Sequence, residues 1–183
     1  MTKISAQYDW LGDIKNPPRM MAEAIKLGKL DTTEKPGKKS NKEIMALAKE
    51  AGVEKIYTSD EIAWCAVAMV ALALRAGKKV AFTGYDRLRA KSFLKFGSPI
   101  ETPEFGDVLV FDRPGGGHVG LYVGEDTTSY HVAGGNQANQ FSVVRILKSR
   151  LTHARRPDYS IGKPTSVKRT YLSATGIISQ NEA

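Results

Sequence analysis

The chain has 183 residues, 42% apolar and 25% charged, the proportions of a globular protein long enough to bury one real core. Its single cysteine, Cys65, excludes an internal disulfide and a cysteine-rich zinc site. No apolar run reaches the roughly 20 residues of a membrane span.

The formal charge of +8 is uneven, because residues 145–183 hold eight basic and two acidic side chains, a net +6. Such a segment suits an anionic partner, or is simply a solvated tail. The stretch from Met1 to Trp10 lacks the basic segment and apolar run of a secretory signal. The expectation is therefore synthesis in the cytoplasm without a signal peptide.

Pro17-Pro18 before Arg19–Leu27, with Gly28 after it, gives a short helix a proline start and a glycine stop. Asp31 to Lys39 is a loop with a Pro36-Gly37 turn. Ser40-Asn41-Lys42-Glu43 matches a capping box, and Ile44, Leu47, Ala48 and Ala51 form the apolar face of a helix ending at Gly52.

From Ala63 to Leu74 no residue is charged, which predicts a helix apolar all round and buried in the core. Cys65 is its one reactive side chain. If Thr58-Ser59-Asp60-Glu61 caps this helix, Cys65 lies nearly two turns in, where the dipole field has faded. If the helix starts near Ala63, the free amides of its first turn face the thiol. Asp86 to Phe96 reads as a further surface helix stopped by Gly97.

Beyond Pro103 the pattern changes to short strands at Asp107–Phe111, His118–Val123, Ser129–Ala133 and Phe141–Ile146, joined by brief turns. This spacing predicts an antiparallel meander, and helices followed by strands predict an α+β fold with the Cys65 helix packed on the sheet. Leu151 to Arg156 is a candidate to complete that sheet. After Pro157 periodicity is lost. Residues 1–157 thus read as one domain, with 1–57 its helical part, and residues 158–183 as a basic, extended tail.

A thiol needs an imidazole to take its proton, and His118 opens a strand directly after Gly115-Gly116-Gly117. Each residue also has a plain structural reading, Cys65 as a small core residue and His118 as a polar residue at a strand edge. The order of the two favours chemistry. No carboxylate cluster suggests calcium and no histidine spacing suggests zinc, so neither metal nor cofactor is expected. His153 is assigned to structure or solvent.

Four blocks occur in order: Asp60-Glu61-Ile62-Ala63-Trp64-Cys65, Gly106-Asp107-Val108-Leu109-Val110-Phe111, Gly117-His118-Val119-Gly120-Leu121-Tyr122-Val123-Gly124 and Gly134-Gly135-Asn136-Gln137. They resemble the CHAP and NlpC-type cell-wall cysteine hydrolases with a papain-like core. A looser likeness runs from Pro36-Gly37 and Asn41 to about Pro157. The resemblance implies a peptidoglycan amidase or endopeptidase, such as a phage endolysin, acting through Cys65 and His118.

The same resemblance implies a third polar residue on the following strand. Asn136 is the expected member and His131 the alternative, on the assumption that residues 129–136 continue as one strand. The glutamate of CHAP-type members is absent, since the position is Gly134. Trp64 is a candidate for the substrate cleft, with a buried packing role as the alternative.

The expected partner is bacterial peptidoglycan, with anionic envelope polymers held by the basic C-terminal region. A monomer is expected, reaching the wall through a holin, a virion or a secretion system. A non-catalytic wall-binding or virion protein is the alternative. Nucleic acid is not expected, because no recognition motif accompanies the charge.

Overall fold

The structure is a computed structural model that describes residues 4–37, 39–176 and 178–180. Three α-helices precede the sheet: α1 (Arg19–Leu27), α2 (Lys42–Glu50) and α3 (Cys65–Arg75). Six strands follow: β1 (Ser98–Ile100), β2 (Val108–Arg113), β3 (Gly116–Glu125), β4 (Ser129–Gly134), β5 (Ser142–Leu147) and β6 (Leu151–Arg156). They form one antiparallel sheet in the order β1-β6-β2-β3-β4-β5. The fold is α+β, with the helices first and the meander second.

The core lies where α3 meets the sheet. Every residue of α3 from Cys65 to Ala73 is buried, so this helix is apolar all round because protein surrounds it on every side. Alternation along the strands sorts side chains between two clusters. Val108, Val110, Val119, Leu121 and Val123 join the α3 cluster, whereas Leu109, Phe111, Tyr122 and Val132 form a second one. Helices α1 and α2 pack against α3, and β3 is the strand it touches most.

Local chemistry corrects several boundaries. The N-cap of α2 is Asn41 rather than Ser40, its side chain accepting from the Glu43 and Ile44 amides. Ser40 Oγ instead accepts from the Asp60 amide at 3.3 Å. Residues 84–95 form two 3-10 helices rather than one α-helix, since Arg89 between them is extended at φ −110° and ψ 119°.

The segment after Pro157 is docked on the fold. It runs along the fold through Phe105 N to Lys168 O at 3.0 Å, Glu125 N to Thr170 O at 2.8 Å and Leu172 N to Glu125 O at 2.8 Å. Its Val167 is buried.

Most basic residues of this region are paired within the chain. Arg145 pairs with Asp126, Lys148 and Arg169 with Glu125, Arg156 with Asp107 and Glu104, and Lys163 with Glu104. Arg155 donates to the Phe96 and Gly97 carbonyls. The +6 read from the sequence is therefore largely matched by acids from elsewhere in the chain. Among the described residues no helix is long and apolar enough to cross a membrane.

Candidate active site

Cys65 is the first residue of α3, at the position where helical amides have no partner within the helix. The residue before it, Trp64, ends the preceding loop at φ −121° and provides no side-chain cap. Thr58–Glu61 is thus not the helix start. Asp60 serves the neighbouring loop instead. Its Oδ2 accepts from the amides of Lys35 and Asn41 at 2.9 and 2.7 Å, drawing loop 31–41 against the approach to α3.

Burial pushes the Cys65 thiol up from its ordinary value. The Val119 amide, the charge of Arg113 and the amides of Ala66 and Cys65 pull it down, and burial wins. The resting group is therefore a neutral thiol seated on the amide that follows His118.

His118 is fully buried in β3, directly opposite Phe111 of β2, and its ring stacks on that phenyl at 6.5 Å between centroids. Its Nε2 lies 2.9 Å from Gln137 Oε1. The Gln137 amide nitrogen donates to the Val132 and Ser142 carbonyls at 3.2 and 2.7 Å. Those two acceptors fix the orientation of the carboxamide, so its oxygen must face His118. An oxygen there requires the proton on Nε2, which leaves Nδ1 as the basic nitrogen of the neutral ring.

Gln137, one residue beyond the expected Asn136, thus places its side-chain oxygen on His118 Nε2. The assumption that failed was a continuous strand through residue 136. Strand β4 ends at Gly134, and Asn136 takes φ 58°, followed by Ala138 at 52° and Asn139 at 60°. That left-handed turn rotates the chain so that Gln137 takes the inward position.

Two glycines lead into this turn, where space for a side chain is short. A Cβ on Gly134 would lie 2.9 Å from Gln137 Oε1 and 3.3 Å from His118 Nε2, and one on Gly135 would lie 2.6 Å from the Trp64 ring.

His131, the alternative third member, belongs to a separate buried network. Its Nδ1 is 2.7 Å from Tyr8 Oη and its Nε2 3.0 Å from Asp126 Oδ2. Burial pushes Tyr8 up to about 12, so its hydroxyl donates to the ring. Burial would also raise Asp126, but Arg145 Nε at 2.7 Å, the Thr128 amide, His131 and the Ser129 amide together hold it well below the ordinary carboxylate range. His131 is kept neutral by burial and ties the N-terminal segment to the sheet.

Trp64 is fully buried, and its Nε1 donates to Glu34 Oε1 at 2.7 Å. It supports the Gly134-Gly135 turn and lines no cleft. His153 is exposed on β6, away from these groups. Among the described residues no group of three or more His, Cys, Asp or Glu side chains is arranged to hold a metal ion.

Loop 31–41 closes over the turn from the other side. Glu34 N donates to Asn139 O at 2.8 Å, and Phe141 N to Thr32 Oγ1 at 3.0 Å. Asn41 holds this loop by donating to the Asp31 and Thr33 carbonyls. Neither these contacts nor Arg113 was singled out in the sequence, where they sit in polar stretches with no periodic signal.

No protein-family model and no curated protein matches this chain.

Proposed function

We propose that the protein is a cysteine hydrolase of papain-like type that cleaves an amide bond in the peptide stem of peptidoglycan. The observation that carries this reading is the orientation chain Gln137–His118, which makes Nδ1 the basic nitrogen of the imidazole on the residue just before Val119, whose amide meets the Cys65 thiol. A buried carboxamide held by two carbonyls and turned toward a histidine fixes a tautomer, as the third member of a triad does.

In the proposed reaction Cys65 Sγ attacks the amide carbon while its proton passes to His118 Nδ1. The oxyanion is met by the first-turn amides of Cys65 and Ala66, a type of interaction whose loss costs about 10²–10³ in rate. His118 then gives the proton to the departing amine as the C–N bond breaks. Water, deprotonated by His118, hydrolyses the thioester. Gln137 positions the ring throughout and carries no charge. The chain would act on the wall after delivery from the cell, as endolysins do.

A second reading has its own support. Cys65 is only 3% exposed and His118 0%, an arrangement into which no substrate reaches without movement. That closure suits a wall-binding or virion component that keeps the fold without turnover.

The deciding experiment is digestion of purified peptidoglycan followed by mass spectrometry, with Cys65→Ala as control. Stem fragments with a new amino terminus, absent with the variant, support the hydrolase and identify the bond. Intact stems with retained wall binding support the second reading. Equal digestion by the variant would remove Cys65 from the chemistry.

A further inference from the structure

Arg113 is the last residue of β2 and lies opposite Gly116 across the hairpin. Two residues back on the same strand, Phe111 faces His118. Strand alternation therefore puts Arg113 on the sheet face of Phe111 and His118, one diagonal step from the imidazole. The hairpin tip beside it is open, since a Cβ on Gly115 or Gly116 would meet nothing within 4 Å. This half-buried arginine thus stands at the solvent end of the row that carries His118.

Its hydrogen bonding is incomplete. The Nε of Arg113 is buried and has no acceptor among the described residues. The arginines nearby in the sheet are all supplied: Arg145 by Asp126, Arg150 by the Asp112 carbonyl, Arg155 by the Phe96 and Gly97 carbonyls, and Arg156 by Asp107. The adjacent carboxylate, Asp112, is on the opposite face and paired with Lys91 at 2.8 Å. A buried guanidinium N–H without an acceptor is costly to keep. A carboxylate fits the fork of a guanidinium through two parallel bonds, which a neutral amide cannot match.

We infer that Arg113 receives a carboxylate carried by the substrate close to its scissile amide, so that the preferred substrate is an acidic stem peptide rather than its amidated counterpart. The inference rests on the hydrolase reading and specifies its substrate. Peptide stems contain such groups, for example the α-carboxyl of a γ-linked glutamyl residue, and that group occurs as either acid or amide. Arg113 has a second influence, because its charge also acts on the Cys65 thiol. That effect is the same for every substrate. Recognition is not, and the two separate in a ratio.

The experiment uses synthetic stem peptides in which each carboxylate is replaced in turn by a carboxamide. Titration calorimetry with the Cys65→Ala protein measures binding without turnover, and kcat/KM is measured with the intact cysteine. The expected result is one carboxylate whose amidation weakens binding about 10–100-fold, the range of a charge-assisted hydrogen bond. Adding Arg113→Gln should abolish that acid-to-amide ratio, and Arg113→Lys should restore only part of it. In turnover the ratio should appear in KM more than in kcat.

Equal binding of every acid and amide pair overturns the inference, as does an acid preference that survives Arg113→Gln. Loss of the hydrolase reading is distinguishable, because it shows as intact stems with the parent protein or as equal digestion by Cys65→Ala, while the calorimetric ratio is read independently.

Discussion

Replacing Gln137 with methionine or with glutamate separates its bond to His118 from its bonds to the backbone. Methionine is close in volume and removes all three polar contacts. Glutamate keeps an acceptor for His118 but deletes the amide that serves the Val132 and Ser142 carbonyls, 3.2 and 2.7 Å away. Each buried acceptor left unsatisfied costs about 1–3 kcal/mol. Both variants leave those two carbonyls unsatisfied and should therefore lose at least about 2–6 kcal/mol.

For a domain of this size, a melting temperature falls about 2–4 °C per kcal/mol, which predicts a drop of about 4–24 °C for either variant. Activity should diverge where stability does not. With methionine the imidazole loses the acceptor that fixes its proton on Nε2, and wall clearing per folded molecule should fall at least tenfold. With glutamate the tautomer is retained and the loss should be smaller. Clearing of purified walls, thermal melts and the ¹⁵N shifts of His118 provide the three readouts. Full clearing by Gln137→Met, at equal folded fraction, would refute the positioning role.

Asp126→Asn should destabilise the protein at neutral pH. The folded pKa of Asp126 lies below its ordinary value, so its contribution is present above about pH 4 and fades as pH falls through the folded value. The difference between the two melting curves should close in acid, and a constant gap would contradict the pairing. His131→Ala should lower stability because Tyr8 and Asp126 lose a buried partner, yet leave wall clearing per folded molecule near the parental level. Loss of clearing with stability intact would move His131 into the chemistry. Gly135→Ala drives a methyl to 2.6 Å from the Trp64 ring and should cost about 1–3 kcal/mol in a denaturant melt. Truncation after Pro157 should lower the melting temperature, since it strips the Lys168, Thr170 and Leu172 ladder bonds and the Arg169–Glu125 pair; an unchanged melt would show that the tail is not part of the fold.

How much was legible follows the physics of each signal. The buried helix was readable because twelve consecutive uncharged residues have few other fates, and its start at Cys65 agrees with the later of the two registers considered. The meander was readable because its turns are short and marked by glycine. Gln137 was hidden by one residue. Period-2 reasoning holds only while a strand continues, and the Gly-Gly-Asn-Gln composition was itself the warning of a turn. The tail was misjudged in a different way. A count of charges cannot show that Arg145, Arg156 and Arg169 point at acids drawn from the end of β3 and the loops before β2 and after β3. Trp64 illustrates the reverse, because no local pattern reveals that Glu34 reaches its indole.

The clasp between loop 31–41 and the turn after β4 has a kinetic consequence. Thr32 bonds to Phe141 across 109 positions of sequence, and Tyr8 to His131 across 123. Such contacts close only after the intervening chain has found its place, and distant pairings slow folding. Helix α3 forms from neighbours, but the turn that presents Gln137 holds Asn136, Ala138 and Asn139 in a backbone region that non-glycine residues avoid. It will keep that shape only once the early part of the chain has locked over it. A partly folded chain therefore possesses the thiol without an oriented histidine, and under the proposed hydrolase function activity would switch on in the final step of folding rather than by degrees.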